Sequence, residues 1–125
     1  MEGVTYSLNQ LVEIFGSMTK IEKVYTSGGG AASALWRQMQ ADIFDLPVYT
    51  MSAASEGGAY GAVLVAGVGA GLWKNLTEAV QVIRPETEAL PNPENQPGYR
   101  KSYKIYKKIY PALKPVYDLG AEMGY

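Results

Sequence analysis

Thr26-Ser27-Gly28-Gly29-Gly30-Ala31 stands between a short β-branched and aromatic stretch, Ile21 to Thr26, and an amphipathic segment that opens near residue 32. The succession of strand, glycine turn and helix decides the fold class. Glycine lets the backbone reverse where a Cβ would be in the way. Such a turn gathers bare N–H groups at one point, which also carries the positive end of the following helix dipole. A nucleotide or another anion suits that bend.

Upstream of it, Leu8, Leu11, Val12 and Phe15 fall at i, i+3, i+4 and i+7, so an amphipathic helix is expected over Thr5 to Met18. Downstream, Ala32, Leu35, Trp36, Met39, Ile43 and Leu46 keep a helical stripe and predict a second helix over residues 32–45. Pro47 stops it, and Val48-Tyr49-Thr50-Met51 reads as a second strand. Gly58 to Leu72 reads as a buried helix whose Gly and Ala positions admit close neighbours. Asn75 with Glu78 forms a capping pair that opens a helix to about Ile83. Arg84 to Gln96 holds Pro85, Pro91 and Pro93 and is expected to be mostly extended loop. Pro97 suits the first turn of a last helix that reaches about Tyr110, where Pro111 and Pro115 would kink or end it.

Five helices against two clear strands is too little sheet for that much helix. The expected class is therefore α/β, as an incomplete, helix-rich domain with two or three parallel strands, cut from a longer polypeptide.

Composition narrows the chemistry. The 125 residues are 47% hydrophobic, which is globular rather than disordered. The formal net charge of -1 gives no general attraction to nucleic acid or an anionic membrane, and neither is an expected partner. With no cysteine and no histidine, disulfides, thiolate nucleophiles, Cys/His zinc sites and His-based triads are excluded. No basic and apolar leader opens the sequence, and a cytoplasmic location is compatible with it. Gly57 to Trp73 carries no charge, yet it holds six glycines and falls short of the ~20 apolar residues that a spanning helix needs.

The string from Gly28 through Ala31, with Ser33, Trp36-Arg37-Gln38, Ala41-Asp42 and Pro47-Val48, resembles the adenosine-side loop of the FGGY carbohydrate kinases, most closely the xylulose kinases. The resemblance resumes at Glu56-Gly57-Gly58-Ala59-Tyr60-Gly61-Ala62 and at Tyr110-Pro111-Ala112-Leu113-Lys114-Pro115, and so covers most of the chain. Ala32 departs from it, because a lysine or arginine is usual there. The resemblance implies an actin-like, ribonuclease-H-like ATPase fold, with residues 1–125 forming the distal part of the second, C-terminal domain. It also implies an activity: ATP, with Mg2+, phosphorylates D-xylulose to xylulose 5-phosphate. Gluconate or another ketopentose is the alternative acceptor, and a non-catalytic interaction module the alternative class.

By the same resemblance Gly28, Gly29, Gly30 and Ala31 face the nucleotide, and Ser33 offers a hydroxyl near the helix start. An asparagine that contacts ATP in the related glycerol kinases is replaced by Ala34. The family's general base and sugar contacts precede this stretch. No catalytic or metal-binding residue is assigned here, and the chain alone is expected to be inactive.

Other candidates have plainer readings. Glu56 resembles the acid that opens the corresponding helix; it reads as a first-turn acid stabilised by the dipole, with support of the nucleotide pocket as the alternative. Asp42 and Asp45 are expected on a solvated helix face, Asp42 contacting Arg37 or Gln38. Over residues 98–117, Tyr99, Tyr103, Tyr106 and Tyr110 form one helical stripe among basic residues. The tyrosines are expected to pack inward and the lysines to face water. Trp36 and Trp73 read as packing residues. An excised part of a domain should expose apolar surface and self-associate, which leaves room for a homodimer.

Overall fold

The computed structural model describes residues 1–52 and 57–124. Along the chain come α1 (Glu2–Met18), β1 (Val24–Tyr25), a 3-10 turn (Gly29–Ala32), α2 (Ala34–Phe44) and β2 (Val48–Met51). Then follow α3 (Gly57–Gly69), α4 (Leu76–Ala79) with a 3-10 turn over Val80–Val82, β3 (Pro85–Ala89) and α5 (Gln96–Glu122).

The two expected strands pair in parallel, Val24 opposite Val48 and Tyr25 opposite Tyr49. Backbone bonds Val24 N to Pro47 O and Thr26 N to Tyr49 O, both 2.9 Å, close the ladder at its ends. The first strand is far shorter than Ile21 to Thr26. Residues 84–96 correct the expectation of a loop, because Pro85–Ala89 forms β3, antiparallel to β2, with Val48 opposite Ala89 and Thr50 opposite Thr87. The sheet order is β1-β2-β3, and the sheet is mixed rather than wholly parallel. Pro85 is tolerated as the first residue of a strand at the sheet edge, where no N–H is required of it. Thr87 and Ala89 turn inward and Glu86 and Glu88 outward, a period-2 pattern written in residues of low strand propensity. The Thr50 and Thr87 hydroxyls bond across the pair at 2.6 Å, and Tyr49 donates to Glu88.

Ala41 and Phe44 of α2, Val48 of β2 and Ala89 of β3 form the core, with Val12, Val24, Ile43 and Leu46 packed around it. Helix α1 turns a different face inward from the one its apolar stripe suggests. Thr5, Tyr6 and Asn9 are buried, whereas Leu8, Leu11 and Phe15 are 39%, 49% and 55% exposed. Helix α3 is likewise not a buried helix: Leu64 and Gly67 are buried, but Val63 and Val65 are each 60% exposed. Its glycines admit one close neighbour, since a Cβ on Gly67 would stand 2.3 Å from the Trp73 ring, while Gly57, Gly58, Gly61 and Gly69 face open space. The Asn75–Glu78 pair holds as a cap: Asn75 Oδ1 accepts from Glu78 N at 2.9 Å.

Asp42 corrects a further expectation. It is buried, not solvated. One carboxylate oxygen accepts from Gln38 Nε2 at 2.8 Å and from Asn92 N at 2.7 Å; the other accepts from Asn95 Nδ2 at 2.8 Å. A buried carboxylate requires such partners, and here they fasten the segment after β3 onto α2. Asp45, exposed and left-handed at φ 56, ends α2 and accepts from Gln96 and Arg100 of α5.

Helix α5 runs unbroken past Pro111 and Pro115 to Glu122, beyond the expected end at Tyr110. The carbonyls of Lys107 and Pro111, which lose a proline N–H partner, belong to exposed residues. Within the tyrosine stripe Tyr103 is buried, Tyr99 and Tyr106 are half-buried, and Tyr110 is exposed. Tyr6 of α1 meets both Tyr103 and Tyr106 with ring centroids 5.5 Å apart, and Lys107 Nζ lies 4.5 Å from the Tyr103 ring centroid.

The Tyr103 hydroxyl is buried without a hydrogen-bond partner among the described residues. Burial, reinforced by the Glu13 carboxylate, pushes its pKa from 10.0 to about 12. The folded state therefore holds this proton more tightly than the unfolded chain. The associated stability is fully present below pH 10 and is lost as the pH rises through 12. Tyr103→Phe should flatten that alkaline loss in denaturant titrations while leaving neutral-pH stability equal or higher. An unchanged alkaline slope would contradict this assignment.

Candidate functional site

The bend after β1 is built as its residue types require. Gly28 takes φ 82 and ψ 178, a conformation open to glycine and strained for other residues. Ala31 N donates to Gly28 O at 3.0 Å and Ser33 N to Gly30 O at 3.1 Å, which closes the 3-10 turn. Ser33 then caps α2, its Oγ accepting from Trp36 N at 3.3 Å. Arg37 reaches back to donate to Ala31 O.

Trp36 fixes this geometry. Its indole lies so close over Gly30 that a Cβ there would fall 1.7 Å from Cζ3. The indole Nε1–H donates to Thr5 Oγ1 of α1 at 2.9 Å, and Thr5 is wholly buried. One side chain thus clamps the glycine turn, the start of α2 and the start of α1.

The N–H groups of Gly28, Gly29 and Gly30 have no hydrogen-bond partner among the described residues. They lie beside the N-terminus of α2, where the helix dipole favours negative charge. Gly29 is exposed and nothing lies within 4 Å of a Cβ built on it; Gly28 and Gly30 are half-buried. Ala31 is 3% exposed, so its methyl is part of the packing and only its backbone borders the bend. Ser33 is half-buried, and its hydroxyl already serves as the helix cap.

Immediately before Gly28, Thr26 and Ser27 line a cavity of about 310 Å³ together with Met51, Ser52, Tyr60 and Gly61. It opens at the carboxyl ends of the two parallel strands, where open α/β sheets receive ligands. Sequence reasoning missed Met51, Ser52 and Tyr60. The usable signal was the pair of strand ends, together with the Gly57 and Gly61 spacing that leaves one face of α3 open. Glu56 lies outside the described residues.

The two acids near this region do not join the site. Both Asp42 oxygens and both Asp45 oxygens are hydrogen-bonded elsewhere, and neither residue lines the strand-end cavity. Among the described residues no three His, Cys, Asp or Glu side chains gather as a metal cage. No helix of the described residues is long and apolar enough to cross a membrane.

Residues 1–70 match the family described as FGGY family of carbohydrate kinases, C-terminal domain. The xylulose kinase of Bacillus subtilis (strain 168) is 38% identical over 116 residues, covering 91% of this chain and 23% of that protein. Among solved structures, gluconate kinase from Lactobacillus acidophilus superposes with a TM-score of 0.77 at 28% identity, over 90% of this chain and 23% of that one. Ligand-bound xylulose kinase from the same organism superposes with a TM-score of 0.67 at 27% identity, over 85% of this chain and 22% of that one. The chain spans less than a quarter of the length of these relatives, 23% of the first of them.

The Trp36 contact separates adjacent glycines. Gly30→Ala should destabilise the fold by about 1–3 kcal/mol, the usual range for overpacking, whereas Gly29→Ala should stay within about 0.5 kcal/mol. Urea denaturation reads both, and equal effects would show that the indole does not confine the turn.

Proposed function

The chain belongs to the FGGY family of carbohydrate kinases, and from that membership we propose that it forms one wall of the nucleotide site of an ATP-dependent sugar kinase. Its fold is the helix-rich portion, with a three-strand mixed sheet, of the actin-like ATPase fold that those kinases have.

The observation that carries the reading is the run of three amides, Gly28 to Gly30, without partners among the described residues, close to a helix N-terminus and beside a strand-end cavity. Backbone N–H groups at such a point hold phosphate or ribose oxygens, and glycine allows the ligand to approach the main chain. In this reading Ala31 continues the wall through its backbone, and Ser33 sets the direction of the helix that follows. The strand-end cavity, with its Tyr60, Met51 and Leu64 walls, suits an apolar ring face.

Phosphoryl transfer rests on positioning and on neutralising charge. ATP supplies the phosphoryl group, and Mg2+ would neutralise its charge. This chain's part is to hold the nucleotide and keep it oriented. Asp42 and Asp45 are spent on structural bonds, and no general base is assigned to this chain. The chain by itself is accordingly proposed to be inactive, with sugar contacts carried by the longer, cytoplasmic polypeptide. D-xylulose is the proposed acceptor, on the strength of the Bacillus relative. Gluconate is the second reading, favoured by the gluconate kinase neighbour.

Gly29→Glu tests the wall without disturbing the fold, because open space surrounds that position. In the longer polypeptide, calorimetric ADP titration should weaken at least tenfold (about 1.4 kcal/mol) while the melting temperature holds. Unchanged ADP affinity would contradict the proposal.

A further inference from the structure

Thr5 of α1 stands apart from the nucleotide wall: it has no exposed surface and does not line the strand-end cavity. Its hydroxyl nevertheless acts on the bend. Thr5 Oγ1 donates to Met1 O at 3.2 Å, one turn back along the helix, with Met39 Sδ 3.8 Å away. Such back-bonding is open to threonine in a helix, and the branched Cβ stiffens χ1. With its one hydrogen engaged there, the oxygen keeps its lone pairs for an incoming donor. The Trp36 indole Nε1–H takes that acceptor at 2.9 Å. Nε1 belongs to the five-membered ring. The six-membered ring carries Cζ3 and Cε3, which a Cβ on Gly30 would meet at 1.7 and 2.3 Å. The indole is thus fixed at one edge by Thr5 and lies against the turn with the other.

We propose that Thr5 is a positioning residue for the nucleotide: through Trp36 it sets the direction of the Gly29 and Gly30 amides, and so raises nucleotide affinity without touching the ligand. This rests on the reading of the bend as a nucleotide wall. The bonds from Ala31 N to Gly28 O and from Ser33 N to Gly30 O close the turn but place nothing on those two amides. The three atoms nearest a Cβ on Gly30 are all carbons of the Trp36 ring, so the ring is what confines that side of the turn. Trp36 is half-buried. An indole deprived of its acceptor regains a hydrogen bond by turning its N–H toward water. That turn vacates the space over Gly30 and frees the peptide to rotate.

Calorimetric ADP titration of variants in the longer polypeptide tests this. Thr5→Val keeps the side-chain shape and removes the acceptor; it should weaken ADP binding about three- to tenfold, the range of one lost hydrogen bond. Thr5→Ser keeps the hydroxyl and should restore the affinity. Trp36→Phe should also weaken binding, and adding Thr5→Val to it should weaken binding no further, because both remove the same bond. Thr50→Val is the control: Thr50 is 5% exposed, and its hydroxyl bonds Thr87 rather than the bend. It should lower the melting temperature and leave ADP affinity as it was. Unchanged affinity in Thr5→Val, no restoration by Thr5→Ser, additive losses in the double variant, or an equal loss in Thr50→Val would each overturn the proposal. Gly29→Glu separates this inference from the one beneath it. If Gly29→Glu weakens ADP binding and Thr5→Val does not, the wall stands and the role of Thr5 falls. If Gly29→Glu also leaves the affinity unchanged, the wall itself falls.

Discussion

One contact organises this structure: the Trp36 indole seated against Gly30, with its N–H on Thr5 Oγ1. The ring occupies the space a Cβ would need, so any residue other than glycine at position 30 must displace the tryptophan or the turn. The hydrogen bond then ties α1 to α2 across 31 positions of sequence. Burying a wholly inaccessible threonine hydroxyl is tolerable because it accepts from the indole and donates in turn to Met1 O at 3.2 Å. Without the clamp, the three amides of the bend would have no fixed direction.

A second constraint works from the opposite side of α2. Asp42 receives hydrogen bonds from Gln38, Asn92 and Asn95, and so anchors the chain as it passes from β3 into α5. Removing one partner of a buried charged bond of this kind costs about 1.5–3 kcal/mol. Thus α2 is held at its start by an aromatic clamp and near its end by a buried carboxylate. The bend, the strand ends and the cavity beside them are positioned by a helix fixed at two points. The remaining face of α1 and the far half of α5 stay open, which concentrates the apolar surface in defined strips.

Where the sequence was legible, local chemistry and tertiary packing agreed. The glycine turn, α2, β2 and the Asn75 cap are each written in a few adjacent residues whose demands the fold satisfies. Leu8, Leu11 and Phe15 misled because periodicity finds an apolar face without saying what covers it; Thr5 and Tyr6 were chosen instead by partners 31 and about 100 positions away. The third strand was hidden because Pro85-Glu86-Thr87-Glu88-Ala89 has little strand propensity of its own and is held by pairing to β2. Asp42 looked like an ordinary surface acid because its partners Asn92 and Asn95 lie 50 and 53 positions on. Of the candidate site, the glycine bend was legible; the cavity, assembled from the ends of separate elements, was not.

The central claim is that the Gly28 to Gly30 amides are vacant for a nucleotide. Amide hydrogen exchange in the longer polypeptide measures this directly, residue by residue. The account predicts fast exchange at these three positions without nucleotide, and marked slowing when ADP is added. Slow exchange without ADP, or ADP protection confined to other segments, would contradict it.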